Sequence, residues 1–180
     1  FVQTLRDTPT DAGTAGYQFL LRAGFLRPLG HGSYAFTPLG AQARRKVASA
    51  IRQAMHTVGG QEVALPHVQP ADLVGQTLDL EETVPPLAGP PVRFRDRMQP
   101  PVLLNTSQEA AILTMARGVI QSYRQLPLML YQIWTPFRDE SQTGGGLFGA
   151  RETQVVDGYS LHADNADLED FYPRVQEAFM

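Results

Sequence analysis

The sequence predicts an α+β protein, an antiparallel sheet flanked by helices. Three observations carry this expectation. Tyr131 to His162 has the shape of a long hairpin: an aromatic and β-branched run, a polar loop, then a second β-leaning run. Leu39 to Val58 is an amphipathic helix with basic residues largely off its apolar stripe. Helical patterns alternate along the chain with antiparallel strand pairs, which places helices against a sheet.

Each element follows from local chemistry. Asp11 to Phe25 carries Ala15, Phe19, Leu20 and Ala23 at roughly helical spacing, and Gly24 is a natural stop. Leu26 to Pro38 is loop-rich, with an alternating piece from Ser33 to Thr37 that predicts a hairpin. In the helix from Leu39 to Val58, Val47, Ile51, Ala54 and Met55 form the apolar stripe, and Gly59-Gly60 ends it. Arg44, Arg45 and Lys46 read as a solvated helix face rather than an RNA contact. Glu62 to Val68 predicts a short strand broken by Pro66, which suits an edge or an interface.

Thr77 to Pro101 lacks clear periodicity and is proline-rich, so a surface segment is expected, with a short strand at Val92 to Phe94. Val102 to Leu104 predicts a strand. Thr106 is the expected cap of a helix from Ser107 to Ser122, with Glu109 at the capping-box offset. Asp164 or Asn165 caps a final helix that runs to Met180. The chain begins with Phe1 and stops within that helix, so a piece of a longer protein is expected.

Composition narrows the chemistry. At 180 residues and 43% hydrophobic, the chain suffices for one domain with its own core. A net charge of −3, from 15 basic and 18 acidic residues, argues against a surface dedicated to coating nucleic acid. There is no cysteine, which excludes disulfides, thiolate metal sites and a cysteine nucleophile. The four histidines are scattered, so no histidine metal site is expected. No apolar run approaches the roughly 20 residues needed to span a bilayer, and a cytoplasmic protein without membrane contact is the expectation.

The hairpin holds the candidate chemistry. Arg138 and Glu140 sit where its first strand meets the loop, and Arg151 and Glu152 where the loop re-enters the sheet. Guanidinium forks there could clamp phosphate or carboxylate oxygens. From the residues alone, the same pairs read more readily as salt bridges on a solvated rim. The run Gly144 to Gly146 reads as a loop tip more readily than as a phosphate cradle. Trp134 reads as core packing, and His162 as a loop or cap residue.

Several blocks together resemble one family. They are TLRDTPTDAGTAGYQFLLRAGFLRPLGHGSYAFTPLGAQARRKV from Thr4 to Val47, GGQEVALPHVQPADL from Gly59 to Leu73, SYRQLPLMLYQIWTPFRDE from Ser122 to Glu140, and DGYSLH from Asp157 to His162. In this order and spacing they resemble bacterial-type prolyl-tRNA synthetases, across nearly the whole chain apart from Val74 to Arg93. The resemblance implies the N-terminal portion of a class II synthetase core, one unit over residues 1–180. It implies ATP with Mg2+, proline as amino acid, tRNA as acceptor and a homodimer. Arg138 matches the arginine that holds the α-phosphate and the substrate carboxylate. Glu140, Arg151 and Asp157 match further ATP-site positions, and Thr106 and Gln108 the amino-acid loop. Gly59 and Pro66 match the first motif at the dimer interface.

The departures weaken an ATP site. By the resemblance, Gly149 stands where a cationic or histidine side chain meets the outer phosphates, and Thr153 where a phenylalanine stacks on adenine. Gln142 and Gly144 replace loop arginines, and Gln108 replaces an acid. Val74 to Leu80 replaces a tryptophan-bearing block. The third class II motif, the editing insertion and the anticodon-binding domain are not among these residues. Losing a charge-assisted hydrogen bond and a stack costs about 2–4.5 kcal/mol. The resemblance therefore leaves three readings: a synthetase core inactive as this chain alone, a non-catalytic paralogue binding an amino acid, RNA or protein, or a ligase for another amino acid or carrier.

Overall fold

A computed structural model describes residues 3–7, 12–75, 92–95, 97, 101–105, 107–137, 146–147 and 150–180. Helix α1 spans Ala15–Arg22; the Thr14 hydroxyl oxygen accepts from the Tyr17 amide at 3.3 Å. Gly24, at φ +76°, stops it as expected. Its inward face differs from the expected stripe, however. Phe19 is 66% exposed, while Tyr17 and Leu21 are buried. The neighbouring hairpin decides this: Tyr17 meets Tyr34 edge-on at 5.6 Å, and Leu21 clusters with Leu26.

That hairpin pairs β1 (Leu26–Gly30) with β2 (Ser33–Phe36), Leu26 opposite Phe36. Helix α2 follows at Pro38–Thr57. Thr37 caps it: its hydroxyl oxygen accepts from the Gly40 amide at 3.3 Å, while its O–H donates to the Gly24 carbonyl at 2.6 Å. Gly40 is required by close approach, since a Cβ there would lie 2.0 Å from the Phe25 carbonyl oxygen. Met55 and Ala48 are the buried positions of α2, with Ile51 half-buried, whereas Val47 turns outward at 61% exposure. Gly59, at φ +75°, and the Gly60 amide, bonded to the Met55 carbonyl at 2.9 Å, end the helix.

Next come β3 (Gln61–Glu62), β4 (Val68–Pro70), α3 (Ala71–Gly75), β5 (Val92–Arg95), β6 (Pro101–Leu104) and α4 (Glu109–Val119). A 3-10 turn at Tyr123–Gln125 leads to β7 (Leu128–Trp134), β8 (Val155–Leu161) and α5 (Asn165–Ala178). Among the described residues the strands form three small sheets, ordered β1-β2, β3-β7-β8 and β4-β6-β5. The expected hairpin is present as β7 and β8, antiparallel from Leu128 opposite Leu161 to Trp134 opposite Val155. A further bridge joins Phe137 to Glu152. β8 lies at the outer edge of its sheet.

Two local expectations are corrected, and a third, open between two residues, is resolved. The strand expected from Glu62 to Val68 is split: β3 runs parallel to β7, and β4 belongs to another sheet. Pro66 lies in the crossing between them, where a missing N–H breaks no ladder. Helix α4 starts at Glu109 with Gln108 as its cap residue, and Gln108 makes no capping bond. Thr106, the expected cap, lies outside the described residues. The helix also ends at Val119, because Ser122 and Gln125 form a capping box for the 3-10 turn instead. At the C-terminal helix, Asp164 rather than Asn165 is the cap, accepting from the Asp167 amide at 2.9 Å.

The core sits on one face of the β3-β7-β8 sheet. Met129 and Tyr131 of β7 join Met55 and Val58 from the end of α2, and Phe171 of α5, with Ile133 and Val156 packed around them. Strand alternation sends these side chains to one face and Gln132, Trp134, Asp157 and Tyr159 to the other. That second face positions the candidate site.

Candidate active site

Gln132 and Asp157 stand directly opposite each other across β7 and β8. Trp134, one turn of the pleat along, is 5% exposed and donates its indole N–H to Asp157 Oδ2. Burial pushes the Asp157 carboxyl up from its ordinary range; the indole bond opposes this, and the nearby Glu109 charge adds to it. Burial, then the Asp157 and Glu109 charges, drive the Tyr159 hydroxyl well above the usual tyrosine range. The Gln132 side chain opposes that rise, yet neither Gln132 Nε2 nor the Tyr159 hydroxyl makes a well-formed hydrogen bond, and both atoms are buried. Glu109, at the start of α4, thus stands over this face of the sheet.

Beside Glu109 lies a cluster of neutral amides. Gln108 is 0% exposed, and Gln69 and Asn105 are each 1% exposed. Gln108 Oε1 accepts from Gln69 Nε2 at 2.5 Å and from Asn105 Nδ2 at 3.4 Å. Gln108 Nε2 donates to the Pro66 carbonyl at 3.2 Å, as does Gln69 Nε2. Two acceptors, Gln69 Oε1 and Asn105 Oδ1, remain buried and unpartnered. Asn105 also ties the sheets together: its amide donates to the His67 carbonyl at 3.0 Å, and its own carbonyl accepts from the Phe137 amide at 3.4 Å. The His67 ring lies 6.0 Å from both Trp134 and Phe137.

The candidate residues fall into three groups. Asp157 and Gln108 sit in the buried polar region just described. Arg151 and Glu152 are exposed, and the Arg151 amide donates to the Gly32 carbonyl at 3.2 Å, fastening the hairpin loop to β1-β2. Arg138, Glu140 and Thr106 lie outside the described residues, as do Gly149, Gln142 and Gly144. Gly59 and Pro66 are exposed, and the Pro66 carbonyl holds two of the amide side chains. Gly146, at φ +77°, lies on α1; a Cβ there would meet Tyr17 Cγ at 2.6 Å. Close approach to Tyr17 and the positive φ together account for that glycine.

Sequence reasoning missed Gln69, Asn105, Gln132, Tyr159 and the role of Trp134. One signal was available: Gln132 interrupts the otherwise apolar LMLYQIW strand on the face away from Tyr131. His162 is a loop residue just before the helix cap, in line with the loop-or-cap expectation. Its Nδ1 is 3.0 Å from Asp167 Oδ2 in the first turn of α5, and its ring packs 5.1 Å from Phe171.

The chain is similar to known proteins in sequence and in fold. No protein-family model matches it. The proline--tRNA ligase of Acidithiobacillus ferrooxidans is 41% identical over 179 residues, covering 99% of this chain and 31% of that protein. Those of Nitratidesulfovibrio vulgaris and Nostoc punctiforme are 40% and 42% identical, over 99% and 98% of this chain and 30% and 29% of theirs. The chain therefore spans about a third of the length of the curated relatives it matches. Among solved structures, Giardia lamblia prolyl-tRNA synthetase in complex with prolyl-adenylate superposes with a TM-score of 0.74 at 21% identity, over 86% of this chain and 32% of its own. The Cryptosporidium parvum enzyme complexed with L-proline and AMP gives 0.74 at 14% identity, over 94% and 35%. At those identities the structures speak to the fold, which is shared.

Proposed function

We propose that this chain, which is prolyl-tRNA synthetase-like over nearly its whole length, is part of a class II core that activates proline with ATP and passes it to tRNA. The observation that carries the reading is the polar face of β7 and β8. Asp157 and Glu109 are carboxylates with no cationic partner among the described residues, beside the unpaired Tyr159 hydroxyl and Gln132 Nε2. A small zwitterion would supply the missing positive charge and the missing hydrogen bonds.

Catalysis is then a matter of placement. The carboxylate of proline attacks the α-phosphorus in line and pyrophosphate leaves; no side chain acts as nucleophile. Arg138 is proposed to neutralise charge developing on the α-phosphate. Glu140 and Arg151 are proposed to hold the nucleotide, Asp157 to stand at the ATP site where the amino acid meets it, and Thr106 and Gln108 to shape the amino-acid end. Mg2+ would accompany ATP and screen its phosphates. Among the described residues no group of three histidine, aspartate or glutamate side chains is placed to hold a metal by itself. The chain is proposed to pair with a second copy through the exposed Gly59 and Pro66 region, and to work in the cytoplasm. No helix among the described residues is long and apolar enough to cross a membrane.

One observation favours a second reading. Gln108 is neutral, fully buried and spent on Gln69, Asn105 and Pro66. A synthetase-like chain kept for binding rather than turnover fits that loss of charge. Calorimetry with ATP, L-proline and a non-hydrolysable prolyl-adenylate decides between them. Nanomolar binding of the adenylate analogue supports the activating core, and binding of none of the three overturns it. Light scattering on the eluted protein tests pairing; a monomer at high concentration removes the dimer.

A further inference from the structure

We propose that Trp134 is a positioning residue: its indole N–H holds one oxygen of Asp157 so that the carboxylate is presented to the ammonium group of a bound amino acid. The proposal rests on the amino-acid reading above and deepens it. Trp134 and Asp157 are two positions apart in register, since Asp157 opposes Gln132 and Trp134 opposes Val155. The bond is therefore diagonal, and it draws the carboxylate toward the Trp134 end of the face. Only Oδ2 is engaged, and no other hydrogen bond to the Asp157 side chain is made by the described residues. The indole itself cannot swing away. It is 5% exposed, with the His67 ring packed beside it at 6.0 Å.

The surroundings explain why such a donor is needed. Asp157 is faced by Glu109 from α4, by Tyr159 two residues along β8 and by Gln132 from β7; no cation approaches it among the described residues. A half-buried carboxylate beside a second carboxylate favours its protonated form. The indole N–H is the described contact that favours the ionised form, which is the form an ammonium requires.

The sole tryptophan of the chain makes the test direct. Its emission is titrated with acid in the wild type and in Asp157→Asn. A transition above the ordinary aspartate range in the wild type, absent from Asp157→Asn, supports the pairing; identical titrations overturn it. Affinity for L-proline and for the prolyl-adenylate analogue is then measured against pH. Trp134→Phe keeps most of the ring volume and removes the donor. It is expected to move the acid limb of binding upward by roughly one pH unit. Trp134→Gln, which restores a neutral N–H donor without the ring, brings much of that shift back, and Asp157→Asn abolishes the limb. An acid limb unmoved in Trp134→Phe overturns the role of Trp134 alone. A wild-type chain that binds neither ligand overturns the amino-acid reading and the positioning role with it.

Discussion

The two faces of the β3-β7-β8 sheet obey different rules. On one, Met55, Val58, Met129, Tyr131 and Phe171 bury apolar surface and leave nothing unpaired among their side chains. On the other, Gln132 and Tyr159 bury polar atoms that find no partner, and burial raises the Asp157 carboxyl above its ordinary range. The same two strands supply both faces, so backbone geometry is not the cause. The first face contributes to stability by removing carbon from water. The second sacrifices stability, because each unmatched buried group costs about 1–3 kcal/mol. A fold keeps such a face when something else completes it.

The contrast can be broken most strongly from the apolar side. Met55 is 0% exposed, and Met55→Ala should lose about 2–5 kcal/mol of unfolding free energy, read from a urea titration. Ligand affinity should be unchanged in the fraction that remains folded. Gln108→Glu places a charge where exposure is 0%. It should cost about 1–3 kcal/mol at neutral pH. Its carboxyl would be raised in the folded state relative to the unfolded, so the lost stability should return as pH falls below that raised value. A thermal melt at pH 5 and at pH 8 checks the sign; equal losses at both would mean that the amide cluster admits a solvated carboxylate.

Smaller effects sharpen the comparison. Tyr159→Phe deletes a hydroxyl that has no partner, so stability should hold or rise by about 1 kcal/mol, while affinity for the adenylate analogue falls. A large loss of stability would show that the hydroxyl is satisfied in solution. Last comes the surface pair that links α2 to β3. Arg52 Nε and Nη2 each donate to Glu62 at 2.7 Å, and the Tyr131 hydroxyl donates to the same carboxylate at 3.4 Å. Both side chains are well exposed, so Glu62→Gln should cost less than about 1 kcal/mol. The Arg52 bond lowers the Glu62 carboxyl in the folded state. Its contribution is present above the unfolded carboxylate value and fades as pH drops through the folded one. The gap between wild type and Glu62→Gln should therefore close in acid.

Much of the architecture was legible because it is local. Gly24, Gly59 and Asp164 end or begin helices through backbone chemistry that a few neighbours decide. The β7–β8 hairpin was legible from its aromatic and β-branched runs. Choices made by distant partners were not. Phe19 and Val47 have the spacing of core residues, yet Tyr17, Leu21 and Ala48 go inward, since the hairpin β1-β2 and the sheet select the face. The break after Glu62 depends on a parallel pairing with a strand that comes much later in the chain. The polar face was least legible. Gln69, Asn105 and Gln132 are ordinary surface residues by type, and only the meeting of α4 with two sheets buries them. Of the candidate site, Asp157 and Gln108 proved to share a neighbourhood, through Glu109. Arg151 is an exposed residue whose backbone fastens the loop.

β8 closes its sheet on one side and leaves its other side unclaimed by any described strand. Such a border is a row of alternating amide donors and carbonyl acceptors, seven residues long, and any extended peptide can read it. Prepared alone at high concentration, the chain is thus predisposed to stack strand upon strand. A lysine introduced at the exposed Ser160 would be the simplest means of keeping the preparation dispersed.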